Sequence, residues 1–257
     1  LYRLYKPGRF FAVDFILTWG PLWLMVAGLR KGFLEDGTGL LVLAGISAVL
    51  SSLYFLYRSG NSAFIRDYWR RFFDFKRIGP IWWVVILFAQ GAINIMAILV
   101  STLFGMDLAQ LHISSEFLAA PLSFTVFIFF FGPLPEEMGW RGYGLDALRS
   151  RMNLLRASLL MAVIWGVWHL PLVFIPGSFQ NSLAEKPLVL ASFFLAFVPT
   201  SILMSWIYYR TRRSTLSAIM FHFAGNFSGE VFNMSAETRI IQTVLACLVA
   251  AVVLWHE

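Results

Sequence analysis

Charge is scarce in this chain. Of its 257 residues, 13% are Asp, Glu, Lys or Arg and 59% are hydrophobic, which lies outside the composition of soluble globular domains and excludes a disordered chain. Cysteine is scarcer still: the single Cys247 rules out a disulfide framework and a cysteine metal cluster within one chain. In its apolar run it reads as a small packing residue. No internal repeat or low-complexity tract stands out, so the inverted-repeat plan of many transporters has no support. The net charge of +6 does not point to nucleic acid. The basic residues fall in short clusters between apolar runs, the arrangement that orients a chain in a lipid bilayer.

What the chain does have is long apolar runs. A bilayer core takes about 20 apolar residues per helix, and that length predicts spans over residues 11–29, 40–57, 81–104, 117–131, 154–175, 188–209, 216–232 and 240–255. The expectation is an all-α membrane protein, a polytopic bundle of about eight transmembrane helices, in a single integral membrane domain over 1–257. Residues Tyr2 to Arg9 place basic residues ahead of the first run with no small-residue cleavage site after it, which predicts a retained span rather than a signal peptide.

Charge then orients the bundle. Arg3, Lys6 and Arg9 precede the first span, and Arg58, Arg66, Arg70, Arg71, Lys76 and Arg77 fill the second connection. Arg149, Arg151 and Arg156 fill the fourth, and Arg210, Arg212 and Arg213 the sixth. The third, fifth and seventh hold only Lys186 and Arg239, so the even connections and both termini are expected in the cytoplasm. Arg30 and Lys31 in the first connection are the exception. The second connection interleaves Trp69, Phe72, Phe73 and Phe75 with its cations, which predicts an amphipathic segment lying against the membrane.

The stretch FGPLPEEMGWRGYG at 131–144 sits at the end of an apolar run yet holds Glu136, Glu137 and Arg141, and unpaired charge in a bilayer is costly. Gly132, Pro133 and Pro135 break the preceding span, and Pro135 suits the start of a new helix with both glutamates in its first turn. Glu137 and Arg141, four apart, can form an intrahelical ion pair, leaving Glu136 on another face. Glu136 and His169 lie at similar distances along the chain from the turn near Met152 and Asn153, which places acid and imidazole at similar depth. His222 and Asn226, four apart in the seventh run, share a helix face and can point into one cavity. Gly139, Gly142 and Gly144 permit close helix approach.

Together, Glu136-Glu137-x-x-x-Arg141, Trp165-x-x-x-His169 and His222-x-x-x-Asn226 resemble the three motifs of the CPBP family of intramembrane glutamic endopeptidases, also called the Abi family, which includes the type II CAAX prenyl proteases. The resemblance covers the C-terminal half, within 131–232. Trp165 departs from it, since the family more often has Phe there. The resemblance implies that Glu136 and His169 activate a water, that His222 and Asn226 stabilise the oxyanion, and that Glu137 and Arg141 support the site. It implies a peptide or protein substrate, prenylated or not, with the lipid bilayer as the other partner; a water-containing cavity open to the cytoplasmic side is expected. A serine elbow GxSxG, a zinc helix HExxH and a GxGD motif are absent from the sequence, so other intramembrane protease chemistries have no support.

Other readings of the same residues are a buried ion network in a non-proteolytic immunity or scaffold protein, a zinc site built from the two glutamates and two histidines, and a proton relay. No cofactor is expected, and zinc is the less favoured reading. His112 and His256 are expected at membrane edges and Glu230 at an interface. Asp146 is expected to cap its helix or pair with Arg149 or Arg151. Gln90 and Asn94 are expected to pack helices rather than line a cavity.

Overall fold

The computed structural model describes residues 2–256; Leu1 and Glu257 lie outside the described residues. Among the described residues, helices account for nearly all the regular structure, and the one bridge of β type pairs Ile113 with Phe232. Among the same residues, five helices are long and apolar enough to cross a membrane, on length and composition: α1 (Pro7–Lys31), α5 (Pro80–Ser101, continued by a 3-10 turn to Phe104), α10 (Leu154–His169, continued to Phe174), α12 (Pro187–Arg210) and α14 (Ala236–His256). A sixth span is available if α2 (Thr38–Gly45) and α3 (Ser47–Arg58), which bend by 43° at their junction, cross as one.

The helical membrane bundle expected from the sequence is therefore present, while only five or six of the eight expected spans meet the length and apolarity of a crossing helix among the described residues. The run at 117–131 breaks before Pro121 into α6 (Ser115–Ala119) and α7 (Pro121–Phe130). Ten residues rise only about 15 Å, half a bilayer. α13 (Thr215–Val231) has 17 residues and is buried against its neighbours along much of its length. Apolar content alone cannot separate a full span from a short helix enclosed by others.

The centre of the fold is α8 (Pro133–Gly139), which carries both glutamates, followed by a π-helical turn at Trp140–Gly144 and by α9 (Leu145–Arg149). α3 packs against one side of α8 and α13 against the other. The glycines act as expected: a Cβ on Gly139 would lie 2.5 Å from the Cβ of Ala48, and one on Gly142 would lie 2.9 Å from the Tyr68 ring. The π-turn widens the helix and frees carbonyls from their usual partners. α4 (Ser62–Phe73) supplies replacements. Tyr68 donates its hydroxyl to Met138 O at 3.0 Å, and Arg71 donates Nη2 to Gly142 O at 2.9 Å.

α4 is the amphipathic segment expected in the second connection, with one correction. Its inner face is not purely apolar, because Arg71 is fully buried beside Phe64 and Tyr68. Arg71 pairs with Asp146 at 3.0 Å. Arg213 also donates to Asp146, and so do the hydroxyls of Tyr208 and Tyr209, at 3.0 and 2.7 Å. The expectation that Asp146 pairs with Arg149 or Arg151 is thus wrong: its partners come from elements far along the chain. Burial alone would push the Asp146 carboxyl up, but the Arg71 and Arg213 guanidinium groups hold it below the usual carboxylate range. This network closes the end of the bundle that carries the arginine-rich connections.

Candidate functional site

Glu137 is fully buried and sits at the junction of two interactions. Arg141 Nη1 lies 3.0 Å from its carboxylate and donates to Oε1, the ion pair that the four-residue spacing predicts. His222 Nδ1 lies 2.9 Å from the same oxygen. A carboxylate accepts, so Nδ1 carries the proton and Nε2 is left for other partners. The Arg141 guanidinium also stacks over the Trp165 ring, 5.1 Å from its centroid.

Glu136, on the next face of α8, is nearly buried and receives the Trp165 indole N–H on Oε2 at 3.1 Å. Its other oxygen lies on the side of Gly132 that faces Asn226: a Cβ on Gly132 would be 3.8 Å from Glu136 Oε1 and 3.6 Å from Asn226 Nδ2. His169 is anchored by the same tryptophan, with Nδ1 2.9 Å from Trp165 O. A carbonyl only accepts, so His169 bears its proton on Nδ1 and presents a lone pair on Nε2.

These side chains line one cavity of about 710 Å³, which Glu136, Trp165, His169, His222 and Asn226 share with Gln90. The two motifs expected to converge on the glutamates do so. The pairing differs in detail: the imidazole that groups with both glutamates, all ligand atoms within 4.8 Å, belongs to His222. Gln90 lines the cavity, against expectation, whereas Asn94 bonds Ser228 and packs α5 on α13 as expected. Glu230 also lines the cavity rather than a plain interface. His112 and His256 are exposed.

Two contributions escape the sequence reading. The first is the indole of Trp165. Treated as one large aromatic among others, it turns out to hold Glu136 by a hydrogen bond that phenylalanine cannot make. Trp165→Phe is expected to remove this bond to a buried carboxylate, worth about 1–3 kcal/mol, and to lower the melting temperature in detergent accordingly. An unchanged melting temperature would contradict this. The second is Asp14, fully buried in α1, which accepts from Ser47 Oγ at 2.7 Å and Trp140 Nε1 at 3.2 Å. A lone acid inside the first apolar run was the available signal. Through Asp14, Ala48 and Arg71, the N-terminal helices clamp the glutamate segment from three directions.

The cavity also bears on the expected access route. Its wall uses the second half of α13, the first half of α12 and the first turns of α14, with Glu116 and Phe179 at its rim. It therefore lies in the half of the bundle away from the arginine-rich connections. A cytoplasmic cavity mouth and cytoplasmic arginine-rich connections cannot both hold.

Long apolar helices around a buried polar cluster and its cavity define a multi-pass membrane protein. Comparison with known proteins narrows the class. Residues 118–228 match the family model described as type II CAAX prenyl endopeptidase Rce1-like. The chain is also 31% identical over 257 residues, 98% of its length and 94% of the relative's, to CAAX prenyl protease 2 of Methanococcus maripaludis. It belongs to the Rce1-like family of type II CAAX prenyl endopeptidases.

Proposed function

We propose that this protein is an intramembrane endopeptidase that hydrolyses a peptide bond with an activated water, on a peptide or protein substrate of the prenylated kind that the relative's name suggests. The observation that carries the reading is the arrangement around Trp165. One residue fixes the Glu136 carboxylate with its indole and the His169 imidazole with its carbonyl, and both face the same cavity. A carboxylate and an imidazole lone pair converging on one space suit the removal of a proton from water.

The water attacks the scissile carbonyl as its proton passes to Glu136 or His169, and the proton is then delivered to the departing amine. Asn226 Nδ2 and His222 face the developing oxyanion. Because Glu137 holds the Nδ1 proton of His222, His222 donates from Nε2 in its imidazolium form, and the Glu137 carboxylate stabilises that charge. Arg141 holds Glu137 in place.

The reaction is proposed to need no metal. Glu136, Glu137 and His222 could supply three donors, but Glu137 is occupied by Arg141 and His222, and a guanidinium 3.0 Å from a ligand opposes a dication. Purified protein should cleave a peptide in the presence of phenanthroline and contain zinc well below one ion per chain. Loss of activity to the chelator, restored by zinc, would overturn the scheme.

Both termini are proposed to be cytoplasmic. Fifteen of the 20 lysines and arginines lie at the N-terminus and in the even connections, and Arg30, Lys31, Lys186 and Arg239 lie on the other side. On that orientation the cavity opens towards the opposite leaflet. With Cys247 replaced by alanine, a cysteine at Gln180 should react with an impermeant maleimide from outside intact cells; labelling only after lysis would reverse the orientation.

A further inference from the structure

The far end of the cavity holds a cation that the hydrolytic scheme leaves without a task. Arg239 lies in the first turn of α14, where the helix dipole disfavours positive charge. It lines the cavity wall, and its Nη2 donates to Gly229 O at 3.1 Å. The guanidinium sits over the Phe179 ring, 5.5 Å from the centroid. The nearby Glu237 is paired with Lys186 instead, at 2.9 Å. Among the described residues no carboxylate comes within ion-pair distance of Arg239. Glu230 acts on it electrostatically from the same wall without closing a pair. The guanidinium is therefore oriented by a carbonyl and a ring, while part of its fork stays open to the cavity.

Its position relative to the hydrolytic groups follows from α13. Gly229, whose carbonyl anchors Arg239, is seven residues beyond His222 on the same helix, or about 10 Å at the helical rise. An extended peptide covers that distance in about three residues. A planar guanidinium recognises a carboxylate through two parallel N–H donors. Glu116 and Glu230 at the same end repel acidic side chains, so an anion is admitted only where Arg239 receives it.

We infer that Arg239 binds the free C-terminal carboxylate of the peptide whose carbonyl is held at His222 and Asn226. The inference rests on the peptidase reading above and adds a specificity residue to it, one that measures the distance from the cleaved bond to the chain end.

The test uses two peptides of one sequence, one ending in a free acid and the other in a carboxamide, with the purified full-length protein. For the wild type, kcat/KM should be about 10- to 100-fold higher for the acid, as expected for a lost charge-assisted hydrogen bond, mainly through KM. Arg239→Gln should lower the rate for the acid to that of the amide and leave the amide unchanged, and Arg239→Lys should keep part of the preference. Equal wild-type rates on the two peptides would overturn the inference, and this comparison needs no variant to fold. So would an Arg239→Gln variant that loses the same factor on both. Cleavage of neither peptide by the wild type overturns the peptidase reading, and this inference with it.

Discussion

Glu136→Gln is expected to lower peptide cleavage by about 10³-fold while the protein keeps its melting temperature in detergent. Glutamine has the shape of glutamate, and its carbonyl oxygen can still accept the Trp165 indole N–H, so the packing around α8 is retained. What is lost is the capacity to take a proton, which is worth about 10² to 10⁴ in rate. The competing reading, a structural ion network, expects the reverse: a marked fall in melting temperature. Cleavage rates and thermal unfolding of the same preparation separate the two.

Glu137→Ala should fail differently. Glu137 is the partner of both Arg141 and His222, and Arg141 is fully buried. Removing the carboxylate leaves a guanidinium uncompensated in a dry interior, which costs about 3–5 kcal/mol, a large part of the stability of an ordinary domain. The expected result is a sharply lower melting temperature and poor recovery in detergent, with activity lost as a consequence. Glu137→Ala protein that melts with the wild type would show that Glu137 is not the keystone of the site.

These neighbouring acids illustrate what a sequence can disclose. Their separation between different partners was legible because i,i+4 geometry is local: Arg141 can reach Glu137 within one helix. The approach of His169 and His222 to α8 was legible from position along the runs, because helical rise is fixed. Long-range partners were not. Asp146 pairs with Arg71 and Arg213, 75 and 67 residues away, and only the meeting of α4, α9 and the turn after α12 selects them over the nearer Arg149. The bend between α2 and α3 was hidden for a related reason, since apolar composition is the same whether a run is straight or broken.

The position of the cavity was obscured by a choice between two general expectations. The charge pattern concerns loops, and the access route concerns which ends of α12, α13 and α14 diverge; nothing local links them. Asp14 shows the same limit from another side. An acid in an apolar run is a visible signal, but its role depends on Trp140, 126 residues later, and on the π-turn that aims that indole back at α1.

Hydrolysis of a peptide bond in the cavity beside Glu136 is read by mass spectrometry of synthetic peptides, prenylated and unprenylated, after incubation with purified wild-type protein and with Glu136→Gln. Wild-type protein should give two fragments from a single bond, whose masses sum to that of the intact peptide plus one water, and Glu136→Gln should give none. Intact peptides in both incubations, or the same fragments from both proteins, would contradict it.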